Sequence, residues 1–304
     1  MSVSFSVYRF SCLTHPVGTR RWILKRVKFL LRGYLYRKQL IALWQVFQSP
    51  TLNQIIENGL NILEKIMRPY LHSRSKPRQR VEMLVEHYSF VERHLSDYIG
   101  LIYLGEGVEF GRYPVSDDSC GEYKIVLRHD GTFRREGDLV VSIVNDAAQR
   151  IYSCAFSLTG KNGDYTLTIG ALQGPEPSVC QPTEVIKYLT KIGFGMRPKN
   201  VVVDAVFALA KEWHIKDVMA VAKSNHVFQA KRYSKKQKSY LLADYDQVWG
   251  EYNGVRTQDG FFKLSPPERK SFDEIPSKRR SMYRHRFYWL DYMAESIRMK
   301  LSAK

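Results

Sequence analysis

Two short stretches hold residue types that could do chemistry together. "SNHV" (Ser224–Val227) follows the apolar run "KDVMAVA" (Lys216–Ala222). A histidine just past a strand stands where ligands meet open sheets, and imidazole is the commonest general base. His226 is therefore the candidate base, with Asn225 beside it as a polar partner. "DYDQVW" (Asp244–Trp249) adds carboxylates, of which Asp246 could orient that imidazole as in a triad. The alternative stays open: His226 hydrogen-bonds a loop and Asp244 caps a helix. The second stretch, "GFGMRPKN" (Gly193–Asn200), reads as the entrance to a long helix, with Pro198 suited to its first turn. The first amides of a helix have no partners and its dipole favours an anion there. Gly195 lets a phosphate approach the backbone. Arg197 offers a planar fork, Lys199 a point charge and Asn200 a further polar group. Equally, Gly195 and Pro198 make a tight turn and the two cations are surface residues.

Other constellations are weaker. Cys12, Cys120, Cys154 and Cys180 are far apart and form no CxxC pair, so neither a disulfide framework nor a zinc site is indicated. Glu86, His87, Glu92 and His94 lie on one predicted helix, but Glu86 and His87 are adjacent and point apart, and no HExxH spacing occurs. They read as solvated helix-face residues, and no metal site is assigned.

The elements that must position these residues change character along the chain. The 304 residues carry a formal charge of +17, which calls for an anionic partner. The charge is concentrated at the start: Arg9, Arg20, Arg21, Lys25, Arg26, Lys28, Arg32, Arg37 and Lys38 all precede the first acid, Glu57. Ile23, Val27, Leu30, Leu31 and Tyr34 share one helical stripe, and Arg21, Lys25, Lys28 and Arg32 share another. Such a helix can lie on an anionic bilayer with Trp22 and Phe29 dipping beneath the headgroups, or pack on its own domain with a solvated basic face. A second helix is predicted from Pro50 to about Ile66, and a third from Arg80 to Leu95. No secretory signal or spanning segment is read, so the expected location is cytoplasmic, peripheral on the inner membrane if the basic helix meets lipid. The tail "SKRRSMYRHRFYWLDYM" interleaves cations and aromatics, but no nucleic-acid-binding signature accompanies it, and nucleic acid is not assigned as a partner.

After about Gly105 the apolar period shortens to that of strands. "YKIVLRH", "LVVSIVN", "RIYSCAFSL" and "DYTLTIGAL" are separated by Asp-Gly, Asn-Asp and Asn-Gly turns, which predicts an antiparallel meander. Helices over 183–192 and 200–214, the strand over 216–222, a compact turn or helix from Asp244, a late strand "DGFFKL" and a terminal helix from Ser277 complete the reading. The fold class is α+β: a basic helical region over residues 1–105, then an antiparallel-to-mixed sheet with helices over 106–304. This order resembles the acyl-CoA N-acyltransferase core, in which the start of the central helix binds pyrophosphate. The resemblance implies acyl-CoA as a cofactor. "QGPEP" and "GFGMRPK" depart from that fold's usual phosphate-binding signature, and the helix at 183–192 is additional.

A second resemblance is carried by "IGALQGP" (Ile169–Pro175), "GMRPKNVVVDAVFALA" (Gly195–Ala210), "SNHV", "DYDQVW" and "SKRRSMYRHRFYWLD" (Ser277–Asp291), in this order. Together they resemble the VirK/YbjX family of Gram-negative bacteria. That resemblance implies an association with virulence, envelope remodelling and tolerance of cationic antimicrobial peptides. It carries no catalytic residue over by motif. Two functions are therefore expected: an acyltransferase-like enzyme at the inner membrane surface acting on an envelope precursor, or a non-catalytic membrane-surface or partner-binding factor affecting secretion or lipopolysaccharide maturation.

Overall fold

A computed structural model describes residues 5–58, 61–114, 121–161, 163–233 and 245–302. Asp244 and Cys120 lie outside them. The helical region comprises α1 (Val7–Thr14), α2 (Trp22–Leu35), α3 (Arg37–Val46), α4 (Pro50–Glu57) and α5 (Pro77–Leu95). Ser49 caps α4, its Oγ accepting the Leu52 amide at 3.3 Å, with Pro50 in the first turn where no N–H is needed. The predicted second helix is shorter than its apolar pattern suggested. Asn58 ends it by donating both its backbone and side-chain N–H to the Gln54 carbonyl, and the chain coils again only as one 3-10 turn at Lys65–Met67.

The sheet has eight strands: β1 (Val108–Arg112), β2 (Tyr123–Arg128), β3 (Leu139–Asn145), β4 (Arg150–Lys161), β5 (Asp164–Gln173), β6 (Asp217–Val221), β7 (Val255–Arg256) and β8 (Phe261–Leu264). Their order is β1-β2-β3-β4-β5-β6-β8-β7. The first five form the predicted meander, each pair antiparallel. Only β5 and β6 are parallel, joined through α6 (Pro182–Ile192) and α7 (Pro198–Glu212), as a parallel pair requires a long crossover. The remaining helices are α8 (Tyr245–Gly250) and α9 (Ser277–Ser302). The fold is thus α+β with a mixed open sheet. One continuous apolar core includes Val7 of α1, Phe90 of α5, Val206 of α7 and Ile297 of α9.

Two features of β5 shape the middle of the sheet. Ala155 pairs with Ala171 while Phe156 pairs with Ile169, so Gly170 is an extra residue, a bulge. A Cβ there would stand 1.8 Å from the Glu136 carbonyl oxygen, so the close approach of that segment requires glycine. The ladder to β6 then ends at Ile169 and Ala220, and the two strands part.

Helical region and sheet are joined by a buried polar network. Asp138, with no exposed surface, accepts hydrogen bonds from Lys65 Nζ, Tyr70 Oη and Tyr88 Oη, the last at 2.6 Å. Burial alone would raise its pKa. The Lys65 charge and its hydrogen bond outweigh that and hold the carboxylate ionised, well below the usual range. His87 corrects an expectation: it is wholly buried rather than solvated. Its Nδ1 accepts the Leu158 amide at 3.1 Å, which puts its proton on Nε2, 3.1 Å from Tyr103 Oη. Glu86 also faces inward, accepting the Gly160 amide at 2.9 Å.

Candidate functional site

The start of α7 holds an oxyanion, and that oxyanion belongs to the protein. Glu251, just after α8, receives Lys199 Nζ at 2.6 Å and Asn200 Nδ2 at 3.2 Å. Although partly buried, it is kept below the usual carboxylate range by these bonds and by the Lys199 and Arg197 charges. The amides of Asn200 and Val201 fold back to the Arg197 carbonyl, and Pro198 has none to offer. Lys199 and Asn200, two of the side chains read as phosphate ligands, are thus engaged by a carboxylate of the chain itself. Arg197 itself is exposed.

Gly195, Arg197 and Asn200 line the mouth of a cavity of about 1080 Å³ between α7, α9 and the segment after β8. Its apolar wall includes Phe207, Val218, Leu264 and Leu290. Arg269 and Arg286 bring charge to it, and both are fixed. Arg269 forms a two-bond fork with Asp291, and Arg286 donates from Nε and Nη2 to the Phe194 carbonyl at 3.0 and 2.6 Å. Asp204, one helical turn after Asn200, also lines this cavity. Burial raises its pKa to about 7, against the Tyr252 hydrogen bond and the Arg269 and Arg286 charges, which lower it. Tyr252 Oη lies 3.2 Å from the Asn200 carbonyl. The single Tyr252 hydroxyl proton is thus shared between the Asn200 carbonyl and the Asp204 carboxylate, both of which accept. A carboxyl with this pKa in a cavity lined by both apolar and charged side chains can take or give a proton near neutrality. The sequence does carry a signal for it: Asp204 is the one acid inside "VVVDAVFALA".

Asn225, His226 and Asp246 line no part of that cavity, and they are not assembled as a triad. His226 is 1% exposed, and its Nδ1 accepts the Phe228 amide at 3.3 Å. Its Nε2 has no hydrogen-bond partner among the described residues. Burial lowers its pKa to about 3, so the ring is neutral. It stacks on Tyr245 with centroids 5.4 Å apart. Asp246 points elsewhere, accepting the Lys223 amide at 2.8 Å. Asn225 is a buried tie, accepting from Ser73 Oγ at 3.0 Å and donating to the Asp259 carbonyl at 3.1 Å. "DYDQVW" has a different role from the expected one. Tyr245 and Trp249 fill the gap where β5 and β6 part: Tyr245 Oη meets the Leu172 amide at 3.4 Å and Trp249 Nε1 donates to the Val221 carbonyl at 2.9 Å.

The basic helix presents a second candidate surface. Phe29 and Gly33 turn inward, where a Cβ on Gly33 would meet Val7 Cγ1 at 2.4 Å, so α1 and α2 pack closely. Phe29 thus belongs to the core and not to a lipid-facing side, and Trp22 is half-buried under the Arg26 guanidinium, 4.7 Å from its ring. Of the predicted stripe, Leu30 packs half-buried against the core and the rest faces out. Leu24 is 57%, Leu31 69% and Leu35 73% exposed, and Ile23, Val27 and Tyr34 are exposed beside them. At 100° per residue these six occupy an arc of about 120°, with Lys28, Arg21, Arg32 and Lys25 on the next ~60°. No acid interrupts the helix. No helix among the described residues is long and apolar enough to cross a membrane.

Comparison with known proteins places these features in a wider set. The chain is 27% identical over 295 residues to the uncharacterized protein YbjX of Escherichia coli K12, covering 96% of this chain and 87% of that one. It is 27% identical over 288 residues to an uncharacterized protein of Haemophilus influenzae, covering 93% and 94%. A more distant relative, 23% identical over 193 residues (63% of this chain, 80% of that one), is named membrane protein LapB, from Mannheimia haemolytica. The family described as protein of unknown function DUF535 matches residues 18–299. With that match running from before α2 into α9, the chain belongs to the DUF535 family of YbjX-like proteins.

Proposed function

We propose that this protein is a peripheral membrane factor that seats α2 in an anionic lipid surface and acts there on an amphiphilic envelope precursor. The observation that carries this is the exposed apolar arc of α2 with its cationic flank. Six contiguous apolar side chains on a well-formed helix are left in water by the rest of the fold. Their charged neighbours complement anionic headgroups rather than a neutral protein face. The printed name of the LapB relative and the envelope association implied by the VirK/YbjX resemblance agree with this reading. Each cation near an anionic leaflet contributes about 1 kcal/mol. Replacing Arg21, Lys25, Lys28 and Arg32 by Gln is therefore expected to weaken cosedimentation with phosphatidylglycerol vesicles by up to ~1,000-fold, and wild-type binding should fall steeply with salt. Salt-insensitive binding unchanged by the four substitutions contradicts the reading. Dimerisation lost on substituting α2, without vesicle binding, gives the surface to a second copy instead.

The sheet favours a catalytic role on this surface. The order of elements, a meander followed by helices and a strand parallel to its last member, supports the acyl-CoA N-acyltransferase reading. Tyr245 and Trp249 are bonded to the ends of β5 and β6, and we assign the donor to the cavity between α7 and α9. An acyl-CoA would supply the thioester. Arg197 and Asn200 would hold its phosphates once Glu251 yields, and Asp204 would take the proton of the attacking amine or hydroxyl. Calorimetry with coenzyme A tests this. Glu251→Gln frees Lys199 and is expected to tighten binding, about tenfold or more, while Arg197→Ala with Lys199→Ala abolishes it. No heat with either the wild type or Glu251→Gln rejects an acyl-CoA donor.

A further inference from the structure

Tyr233 lies between two arginines, Arg135 and Arg232, that form no ion pair among the described residues. The Arg135 guanidinium carbon is 5.1 Å from the Tyr233 ring centroid, and that of Arg232 is 5.9 Å from the same centroid. Arg135 also sits over Phe228, at 5.8 Å, and Phe228 packs edge-on against Tyr233. Arg80 and Arg68 complete the group: Arg80 feels the charge of Arg232, and both Arg135 and Arg232 feel that of Arg68. Arg68 is paired with Glu64. Among the described residues, Arg80, Arg135 and Arg232 have no ion pair.

These guanidiniums are held in place. Arg80 donates to the Ile66 carbonyl at 3.1 Å and to Ser75 Oγ at 3.2 Å, and Arg232 donates to the Met67 carbonyl at 3.2 Å. Arg135 Nε and Tyr233 Oη are buried, and neither finds a hydrogen-bond partner among the described residues. Tyr233 as a whole is 7% exposed. Beside them lies a cavity of about 440 Å³ bounded by Arg134, Arg135, Phe228, Gly131 and Thr132. Like charges gathered at a partly desolvated place repel one another, and donors left without acceptors add to the cost. Both deficits are removed by one kind of ligand: a compact oxyanion with several acceptor oxygens, which guanidinium forks bind in plane.

We propose that Arg135, Arg232 and the Tyr233 hydroxyl form a binding site for a phosphate monoester or pyrophosphate group. The site is separate from the cavity beside α7, and it exists whether or not α2 meets lipid. Arg32 of α2 lies within electrostatic range of Arg232, so the phosphate could be that of a lipid headgroup or of a free molecule, and the test separates the two.

Calorimetric titration of the full chain with inorganic pyrophosphate, without membranes, tests the site itself. Binding is expected to weaken at least tenfold in Arg232→Gln and to vanish in Arg135→Gln with Arg232→Gln. Arg78→Gln, an exposed arginine paired within its own helix to Glu82, should leave it unchanged. Arg232 is exposed, so its single substitution keeps the test decisive if the double variant fails to fold. No pyrophosphate binding by the wild type, or equal affinity in the Arg232 variant, overturns the proposal. Vesicles then identify the source. Tighter binding to phosphatidic acid than to phosphatidylglycerol, lost in Arg232→Gln, supports a headgroup; equal binding to both, with pyrophosphate still bound, supports a free phosphate ester. Failure of vesicle binding alone would count against the membrane reading and leave this site standing.

Discussion

Asp138 is held ionised in the interior by Lys65, Tyr70 and Tyr88, each contributed by the helical region. Removing one partner of such a group leaves the other charge buried and unpaired, which typically costs about 3–5 kcal/mol. Asp138→Ala is therefore expected to lower unfolding stability by that amount in a denaturant titration, and a loss under 1 kcal/mol would show that the network is not what joins helices to sheet. Glu136 gives a second, pH-dependent test. Burial raises its pKa from 4.5 to about 7, so the folded state binds the proton more tightly than the unfolded chain. Stability of the wild type should then fall as pH rises from about 4.5 through about 7, and Glu136→Gln should escape that fall. The advantage of the variant is expected to grow by up to about 3 kcal/mol between pH 4.5 and pH 8, read from paired unfolding curves. An advantage that is flat with pH, or that shrinks, contradicts the placement of this carboxyl. Little of this was legible in the sequence. Lys65 and Asp138 are 73 positions apart, and no local pattern marks an acid whose partners arrive from another region. The same blindness made His87 look solvated and His226 look catalytic, because residue type says nothing about what covers it.

At the scale of elements, local pattern was a better guide. The alternation of β2 to β5 and their turn residues predict strands that the structure contains, with ends differing by a few residues. β1 and β7 escaped notice because they are short edge strands with little apolar alternation: Val108–Arg112 contains Gly111, and Val255–Arg256 is only two residues long. α2 is the instructive case. Its stripe and basic face were both visible, but periodicity cannot tell a face packed on protein from one left bare. Only the packed helix shows that Phe29 and Gly33 are the inner side and that Leu24, Leu31 and Leu35 are not. The entrance to α7 makes a similar point. Its cations are written in local sequence, whereas the partner of Lys199, Glu251, depends on α8 lying alongside.

The whole molecule combines these elements asymmetrically. The basic helical region is bound through a shared core to a mixed sheet, and the arginines around Tyr233 reach the helical region through the Arg232 bond to the Met67 carbonyl. The α+β class followed from the switch in apolar period; the strand order did not, since the parallel pairing of β5 with β6 is a long-range choice set by the α6–α7 crossover. Seating α2 in lipid would orient this assembly with its arginine cluster near the headgroups. The most direct measurement of that central claim is the partition coefficient on phosphatidylglycerol vesicles of Val27→Asp with Leu31→Asp, two changes on the exposed arc that leave every cation in place. The account predicts a loss of at least tenfold with an unchanged unfolding midpoint. Partitioning equal to the wild type would show that the apolar arc never enters the bilayer.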